Sequence, residues 1–444
     1  MLESQIAHWR GFVERHRAIS ASDVDEMEDH LREQIADLAE SGLSDDESFL
    51  VAVKRLGNVD AISREFAREH SDRLWKQLVL VPSDTSPQHP QPNRELLVVI
   101  AMALGAAVAL KWALAVLGDS PAFGRNAALL VFPFLAGYFV WKRRTGPRMW
   151  ALLMVPAAAL ALVVNTYPFP PASDTEVLAA IHLPIVLWLL VGLTYVGGRW
   201  RHHGRRMDFI RFTGEFVVYC TLLLLGVGVL VMLTAGAFQA IGVDLEWLIE
   251  GWAAPVAPPV VVLLSAWLVE AKQSVIENIA PVLTRVFTPL TIVMLLALLV
   301  AFARAGTIIG VERELLILMD LILVLVLGLL LYAISARDPL SAPTVFDRLQ
   351  LALVLSALAV DVLMLTAMLL RIAEFGYSPN KAAALGLNLV LLLNLAWSAW
   401  LLSRFLRQRR PFTAVDRWQT DYLPVYGVWA LAVVIALPPL FGFG

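Results

Sequence analysis

Five polar side chains inside long apolar runs are best placed to do chemistry: Asp361, Asn388, Asn394, Asp320 and Lys111. Polar and ionisable groups within a membrane span are costly, so each is a functional candidate by default. Asp361 lies near the middle of its run and cannot easily reach an interface. With Asn388 and Asn394 as hydrogen-bond partners, it could act as a proton or cation relay. The alternative, which we favour because no second acid is evident at mid-depth, is a neutral acid that locks two helices together.

Two of these groups lie nearer to the ends of their runs. Lys111 is roughly 9 Å from the end of the first run at a rise of 1.5 Å per residue, so its ammonium group can snorkel to the interface. Asp320 lies at a similar depth near the outer end of a later run. A Lys111–Asp320 ion pair is geometrically possible, but snorkelling is the simpler expectation.

A short charged turn, from Arg371 to Lys381, separates two long apolar runs. Its two cations flank Glu374, and the group could bind an anionic headgroup or the carboxylate of a partner. The alternative is a structural turn, in which Gly376 supplies backbone freedom and Asn380 is the N-cap of the next helix. We favour the structural role.

The sequence predicts no cofactor and no metal site. His30 stands beside Asp29 and Glu33, but a solvated helix face explains this group better, because nothing else supplies ligands at metal spacing. The pair His202–His203 lies in a basic loop and also lacks further ligands. The single cysteine can form neither an internal disulfide nor a cysteine-based zinc site. No nucleotide-binding or hydrolase motif occurs in a fitting context.

The composition places these residues in a membrane protein. Of the 444 residues, 58% are hydrophobic and 16% are charged, whereas soluble domains are about half apolar and roughly a quarter charged. A helix needs about 20 mostly apolar residues to cross a bilayer. We predict an all-α, polytopic fold with eleven spans, at about residues 95–117, 123–141, 149–167, 177–197, 215–240, 252–270, 286–304, 315–335, 347–371, 380–405 and 424–442. Prolines disturb span 252–270, so whether it crosses fully or is broken or re-entrant stays open.

Charges in the loops predict the orientation. Lys and Arg cluster in every second loop, for example at residues 142–148, 199–211 and 404–417, while most of the other loops carry mainly Asp and Glu. Since basic loops stay inside, we expect a cytoplasmic N-terminus and an outside C-terminus in the bacterial cytoplasmic (inner) membrane. Residues 1–75 hold no signal-peptide core, so the first span is expected to act as the insertion signal.

The pattern of residues 1–75 predicts a small cytosolic bundle of four helices. In its second helix, apolar residues recur at steps of three and four, which is one helical face. Ser22 is the predicted N-cap of that helix, and Ser44 and Glu47 form a predicted capping box for the third. Asn58 is expected to cap the fourth helix.

The chain is therefore expected to have three parts: the helical domain 1–75, the linker 76–94 and the transmembrane domain 95–444. The linker is polar and rich in proline, so it should be extended and semi-rigid. The helical domain carries 17 Asp or Glu against 9 Lys or Arg. This acidic balance argues against nucleic-acid binding, which needs a basic face.

The helical domain resembles a known bacterial module. The pattern that carries the resemblance is Ile19-Ser20…Asp23…Met27-Glu28-Asp29-His30-Leu31-Arg32…Gly42-Leu43-Ser44…Glu47-Ser48-Phe49…Ala52-Val53-Lys54-Arg55-Leu56-Gly57. It is similar to the HAAS-type module, also called permease prefix domain 1, which is found in front of membrane segments. The resemblance implies a cytosolic protein-interaction, regulatory or signalling role rather than a reaction.

The charged turn carries a second resemblance. Its pattern, R-I-x-E-F-G-x-S-x-N-K, resembles a signature of an uncharacterised bacterial multi-span membrane family, domain of unknown function 4153. That family usually has Tyr, Thr and Arg at the positions of Phe375, Ser378 and Lys381. These replacements keep size and charge but remove a phenol, so a role of that hydroxyl does not carry over. The resemblance implies no known activity.

Three classes of function remain open. The first, which we favour, is a regulatory or scaffold membrane protein whose cytosolic bundle binds a partner protein. The second is a transporter or permease for a small solute or lipid, using the polar groups in spans one, eight, nine and ten. The third is an enzyme acting on a lipid or lipid-linked sugar at the outer face, although we expect no enzymatic activity on balance.

Overall fold

The computed structural model describes residues 2–14, 21–40, 43–56, 92–171, 173–271, 279–305 and 313–444. Nearly all of these residues are helical, and the described part of the chain contains no strand. The chain divides into two compact units, Met1–Gln91 and Pro92–Gly444.

The first unit contains three described helices: α1 (Leu2–Glu14), α2 (Ala21–Glu40) and α3 (Asp45–Leu56). They enclose a core of their own, in which Trp9 and Leu31 are completely buried. The other core residues are Ile6, Ile35, Leu38, Phe49, Ala52 and Val53. The apolar spacing of the second helix therefore marks its buried face.

Ion pairs also join α1 to α2. Arg32 pairs with Glu3 at 2.7 Å and with Glu28 at 2.9 Å, and Arg10 pairs with Glu28 at 2.7 Å. The hydrogen bond from Arg10 is the main reason why the pKa of Glu28 lies below its usual value. The carboxylate of Glu28 is thus held between two guanidinium groups from two helices.

The capping box predicted for α3 agrees with the structure, whereas the N-cap predicted for α2 does not. The backbone N–H and the hydroxyl of Ser44 donate to the Glu47 carboxylate at 3.0 and 2.8 Å. Helix α2 begins at Ala21, so Ser22 lies inside it and not at its N-cap. The predicted fourth helix, capped by Asn58, lies outside the described residues.

In the described residues, the second unit is a bundle of eleven long helices and two short ones. They are α4 (Pro92–Leu117), α5 (Pro121–Lys142), α6 (Pro147–Thr166), α7 (Asp174–Tyr195), α8 (His203–Ala240), α9 (Glu246–Leu248), α10 (Ala254–Ala271), α11 (Ile279–Ala305), α12 (Arg313–Ser335), α13 (Val345–Phe375), α14 (Pro379–Leu406), α15 (Thr413–Ile435) and α16 (Leu437–Leu440). Within the described residues, ten helical segments are long and apolar enough to cross a membrane. They overlap the first ten predicted spans, and the all-α, polytopic fold class is confirmed.

Ion pairs mark the two ends of this bundle. At one end, called end A, Lys142 pairs with Glu95 at 2.6 Å and with Glu270 at 3.3 Å. At the opposite end, called end B, Arg125 pairs with Glu176. Helix α5 connects the two ends, because Arg125 lies in its first turns and Lys142 is its last residue.

The last long helix, α15, also runs from end A to end B. Phe412, just before it, packs against Phe405 in the last turn of α14. After it, the Ser173 hydroxyl donates to the Phe443 carbonyl at 2.7 Å. Ser173 caps α7 at end B, so α15 crosses the bundle as its neighbours do.

Helix α15 differs from the predicted eleventh span, 424–442. It begins at Thr413 and ends at Ile435, and it is not among the ten segments that are long and apolar enough to cross a membrane. Its first half contains Gln419 and Thr420, which are completely buried. These polar side chains lie against other helices, so hydropathy alone places the start of the helix too late.

The proline-rich span is irregular only at its start. A π-helical turn, Ile249–Ala253, precedes α10, which then continues with Pro258 and Pro259 inside it. At the far end of α10, Glu270 accepts a hydrogen bond from Arg143 at end A. The span therefore crosses the bundle, with its irregularity in the π-helical turn.

Candidate functional site

Asp320, Asp361 and Asn388 lie on three helices, α12, α13 and α14, which pack against one another. The Nδ2 atom of Asn388 donates to Oδ1 of Asp320 at 3.0 Å. Asp361 lies on α13, which packs against both of the other helices. We call these three residues the acid–amide cluster; a second acid, Asp320, lies on a helix in contact with that of Asp361, which was not evident from the sequence.

The cluster contains buried oxygen atoms that lack a partner. Asp361 and Asn388 are 0% exposed, and Asp320 is partly exposed. Among the residues that the structure describes, both carboxyl oxygens of Asp361 and the Oδ1 atom of Asn388 have no hydrogen-bond partner. A buried polar group without a partner costs about 1–3 kcal/mol, and more if it is charged. The cluster is therefore costly unless something neutralises or ligates it.

The surroundings of the cluster are apolar. Buried neighbours along the same helices include Met319 and Leu323 on α12, Val360 and Met364 on α13, and Leu391 on α14. A carboxylate in such a setting loses its hydration, and of the two acids only Asp320 gains a hydrogen bond in exchange. The local environment thus favours a neutral or cation-bound state of the two acids.

Asn394 belongs to a different network. Its Nδ2 atom donates to Oε1 of Gln419 at 3.1 Å, and Nε2 of Gln419 donates to the Ser398 hydroxyl at 2.6 Å. The Trp418 indole N–H also donates to the Asn394 carbonyl at 3.4 Å. Asn394 therefore joins α14 to α15 and is not the hydrogen-bond partner of Asp361 that the sequence suggested.

Lys111 and Asp320 do not pair with each other. The ammonium group of Lys111 donates to the carbonyl of Gly251 and lies 4.8 Å from the ring centroid of Trp252. Gly251 belongs to the π-helical turn, whose altered hydrogen bonding leaves carbonyl groups open to a side-chain donor. Lys111 thus stabilises the irregular start of the proline-rich span.

The charged turn at end B is closed by one of its own side chains. Lys381 donates to the carbonyl of Gly376 at 2.6 Å and to that of Arg371 at 3.3 Å. Gly376 has a φ of 74°, which glycine adopts without strain. Glu374 is exposed. These contacts favour the structural role of the turn.

Asn380 is not the N-cap of the helix that follows this turn. Helix α14 begins at Pro379, and the N-cap position is held by Ser378, whose side chain makes no capping hydrogen bond. Asn380 therefore lies in the first turn of α14. The proline at the first helical position explains the boundary, because its fixed φ suits a helix start and it has no N–H to satisfy.

End A contains two polar groupings that the sequence did not reveal. Arg337 makes a bidentate ion pair with Asp347, at 2.7 and 3.2 Å. A separate polar cavity of about 300 Å³ is lined in part by Arg143, Arg211 and Glu215. In the sequence, Glu215 follows Arg211 by four residues in the basic first part of α8. Residues four apart share a helical face, so this spacing was the available signal for the cavity.

The remaining candidates do not assemble into a metal centre. In the described ranges, no three or more His, Cys, Asp or Glu side chains come together as a possible metal site. His30 lies 3.8 Å from Glu33, and both are largely exposed. This contact is an ordinary one between residues three apart on a helix.

No family model, no curated protein and no solved structure matches this chain. Its position among known proteins therefore rests on the resemblances of residues 1–75 and of the charged turn, which stay expectations. What the chain does must be inferred from its own geometry.

Proposed function

We propose that this protein is a regulatory or scaffold protein of the bacterial inner membrane whose N-terminal helical domain binds a partner protein in the cytosol. The observation that carries the proposal is the separate compact unit formed by α1, α2 and α3 around its own core. A domain with its own core can present a binding surface without help from the membrane helices. The resemblance to the permease prefix module supports the same role.

The exposed surface of α2 indicates the chemistry of the partner. Glu28 is engaged by Arg10 and Arg32, whereas Asp29 and Glu33 are exposed. The domain as a whole has an excess of acidic residues. A basic surface on the partner would complement it, because complementary potentials speed association and set specificity.

The proposed orientation places end A in the cytoplasm. End A holds Lys142 and Arg143 and the basic residues between α7 and α8, and basic loops remain inside. Helix α4 begins at end A, since Glu95 pairs there, which is consistent with a cytosolic N-terminal domain. Gly444 bonds to Thr175 at end B and would lie outside.

Photo-crosslinking in intact cells tests the partner. With a photoreactive amino acid in place of Glu33 in the full-length chain, we expect a discrete adduct to one protein. Charge reversal at Asp29 should weaken the adduct, whereas reversal at Glu374, in the end B turn, should not. The probe placed at Tyr377 is the matched control. Equal adducts from both positions, or none from Glu33, would refute a cytosolic partner.

Cysteine labelling tests the orientation. Cys220 is replaced by serine, and single cysteines are introduced at Arg201 in the end A loop and at Tyr377 in the end B turn, both of which are exposed. A membrane-impermeant maleimide should label Tyr377→Cys on intact cells and Arg201→Cys only after permeabilisation. The reverse pattern would show that end A faces outward.

A further inference from the structure

We propose that the polar cavity at end A, which Arg143, Arg205 and Arg211 line, binds a phosphate group of an anionic phospholipid or of a small soluble phosphate ester. We call it the end A cavity. The proposal goes beyond the scaffold role and does not depend on it. Such a site would give the membrane helices a ligand of their own.

The end A cavity is built by residues from separate helices. Arg143 directly follows α5, and Tyr195 is the last residue of α7. Arg205 and Arg211 lie in the first three turns of α8, and Val269 adds a wall from α10. The fold therefore brings guanidinium groups from distant parts of the sequence to one enclosed space, which a basic loop alone does not do.

The cavity opens at the surface of end A. Arg205 and Asp208 form its mouth, because their side chains are 54% and 51% exposed. Tyr195, Glu215 and Val269 form its inner wall, because they are buried. A ligand thus enters from the surface without displacing the packed core.

The arginines keep hydrogen-bond donors for a ligand. Arg143 donates to Oε1 of Glu270 at 2.9 Å, and Arg211 donates through two of its nitrogens to the carbonyl of Ser335. These bonds to described residues hold both side chains in place. A guanidinium group has five N–H donors, so each keeps further N–H groups, and their planar fork matches the oxygens of a phosphate.

The charges of the lining favour an anion. Three arginines stand against two acids, Asp208 and Glu215. The pair between Arg205 and Asp208 is long, at 3.6 Å, and exposed, and such pairs are weak. A phosphate oxygen, which forms shorter charge-assisted bonds, can therefore replace Asp208 as the partner of Arg205.

The size of the cavity limits the ligand. Its volume of about 300 Å³ lies at the lower end of small-molecule sites, which span about 300–1,000 Å³. A phosphate with a small polar substituent fills such a space. The acyl chains of a phospholipid would remain outside the mouth, against the apolar surface of the helices.

Thermal unfolding of the purified full-length protein tests the proposal and separates the two sources of phosphate. The protein is depleted of lipid in detergent and titrated at constant ionic strength with dioctanoyl phosphatidylglycerol, dioctanoyl phosphatidylcholine or glycerol 3-phosphate. We expect a saturable rise of the unfolding temperature with an anionic probe but not with phosphatidylcholine, whose phosphate is offset by its own cation. A rise with phosphatidylglycerol alone assigns the site to a lipid headgroup. An equal or lower half-saturating concentration of glycerol 3-phosphate assigns it to a soluble ester.

Variants locate the effect in the cavity. Arg205→Gln should raise the half-saturating concentration of the active probe about fivefold, and Arg211→Gln should raise it about tenfold or more. The matched control is Arg409→Gln, which removes an exposed arginine at end A outside the cavity lining and should leave the concentration unchanged. Arg205 is more than half exposed, so its variant remains informative even where Arg211→Gln fails to fold.

Three results would each overturn the proposal. The first is the lack of a saturable effect of both anionic probes on the unaltered protein. The second is an equal effect of phosphatidylcholine. The third is the same half-saturating concentration in Arg205→Gln and Arg409→Gln, since this would place binding outside the end A cavity.

Discussion

The ion pair between Arg337 and Asp347 allows a quantitative test of what holds the membrane helices together. Its two hydrogen bonds measure 2.7 and 3.2 Å, and the side chains are 12% and 3% exposed. Asp347 also accepts from the backbone N–H and the hydroxyl of Thr344, at 2.6 and 2.8 Å, in the capping box of α13. Asp347→Ala therefore removes a buried counter-charge and a helix cap in one step.

The expected cost follows from these contacts. Breaking a buried ion pair by removing one partner costs about 3–5 kcal/mol, and loss of a helix cap costs about 1 kcal/mol. Because Arg337 keeps its bonds to the carbonyls of Asp338, Ser341 and Ala342, we expect the ion-pair cost to lie near its lower limit, which together with the cap gives a loss of about 4 kcal/mol. The free energy of unfolding is measured by titration with sodium dodecyl sulfate in mixed micelles, followed by circular dichroism.

A matched variant gives the comparison. Arg205 and Asp208 form an ion pair of 3.6 Å in which both side chains are more than half exposed, and such pairs contribute about 0–1 kcal/mol. Asp208→Ala should therefore lower the free energy of unfolding by less than about 1 kcal/mol. If Asp347→Ala were as mild as Asp208→Ala, the buried pair would not stabilise the bundle as argued.

Two further predictions concern packing and pH. A Cβ atom at Gly386 would overlap the Trp429 indole, whereas one at Gly226 would meet nothing within 4 Å. Gly386→Ala should thus lower the free energy of unfolding by about 1–3 kcal/mol in the same titration, and Gly226→Ala should not lower it. The pKa of Glu28 is lowered mainly by Arg10, so its contribution to stability is complete above the unfolded value of 4.5 and is lost as the pH falls through the folded value. Hydrogen exchange of the α2 amides should accelerate in that acid range, and Glu28→Gln should remove this dependence; an unchanged profile would contradict the assigned role of Arg10.

The membrane helices could be predicted because the bilayer leaves few alternatives. A long apolar run must satisfy its backbone groups internally, and a helix does so. Ten of the predicted spans therefore match apolar helical segments of the structure in position. The eleventh is displaced, because its helix, α15, contains Gln419, whose amide is satisfied by neighbours that no hydropathy scale includes.

The partners of the polar groups could not be read from hydropathy, but helical geometry contained part of the answer. Asn388 and Asn394 are six residues apart, which corresponds to about 240° around a helix of 3.6 residues per turn. They therefore could not both face Asp361, and the structure directs one to Asp320 and the other to Gln419. Which helix lies on each side depends on the packing of segments distant in the sequence, and no local pattern specifies that.

The bonds from Gln419 to Asn394 and Ser398 also bear on how the polypeptide enters the membrane during synthesis. A helix that carries Gln419 and Asp421 partitions poorly into lipid by itself, because polar residues are costly in an isolated segment. Helix α14 supplies the partners for Gln419, so the two helices should leave the translocon together as a hairpin. Insertion of these two helices is then one cooperative step, and a defect in α14 would leave α15 at the membrane surface.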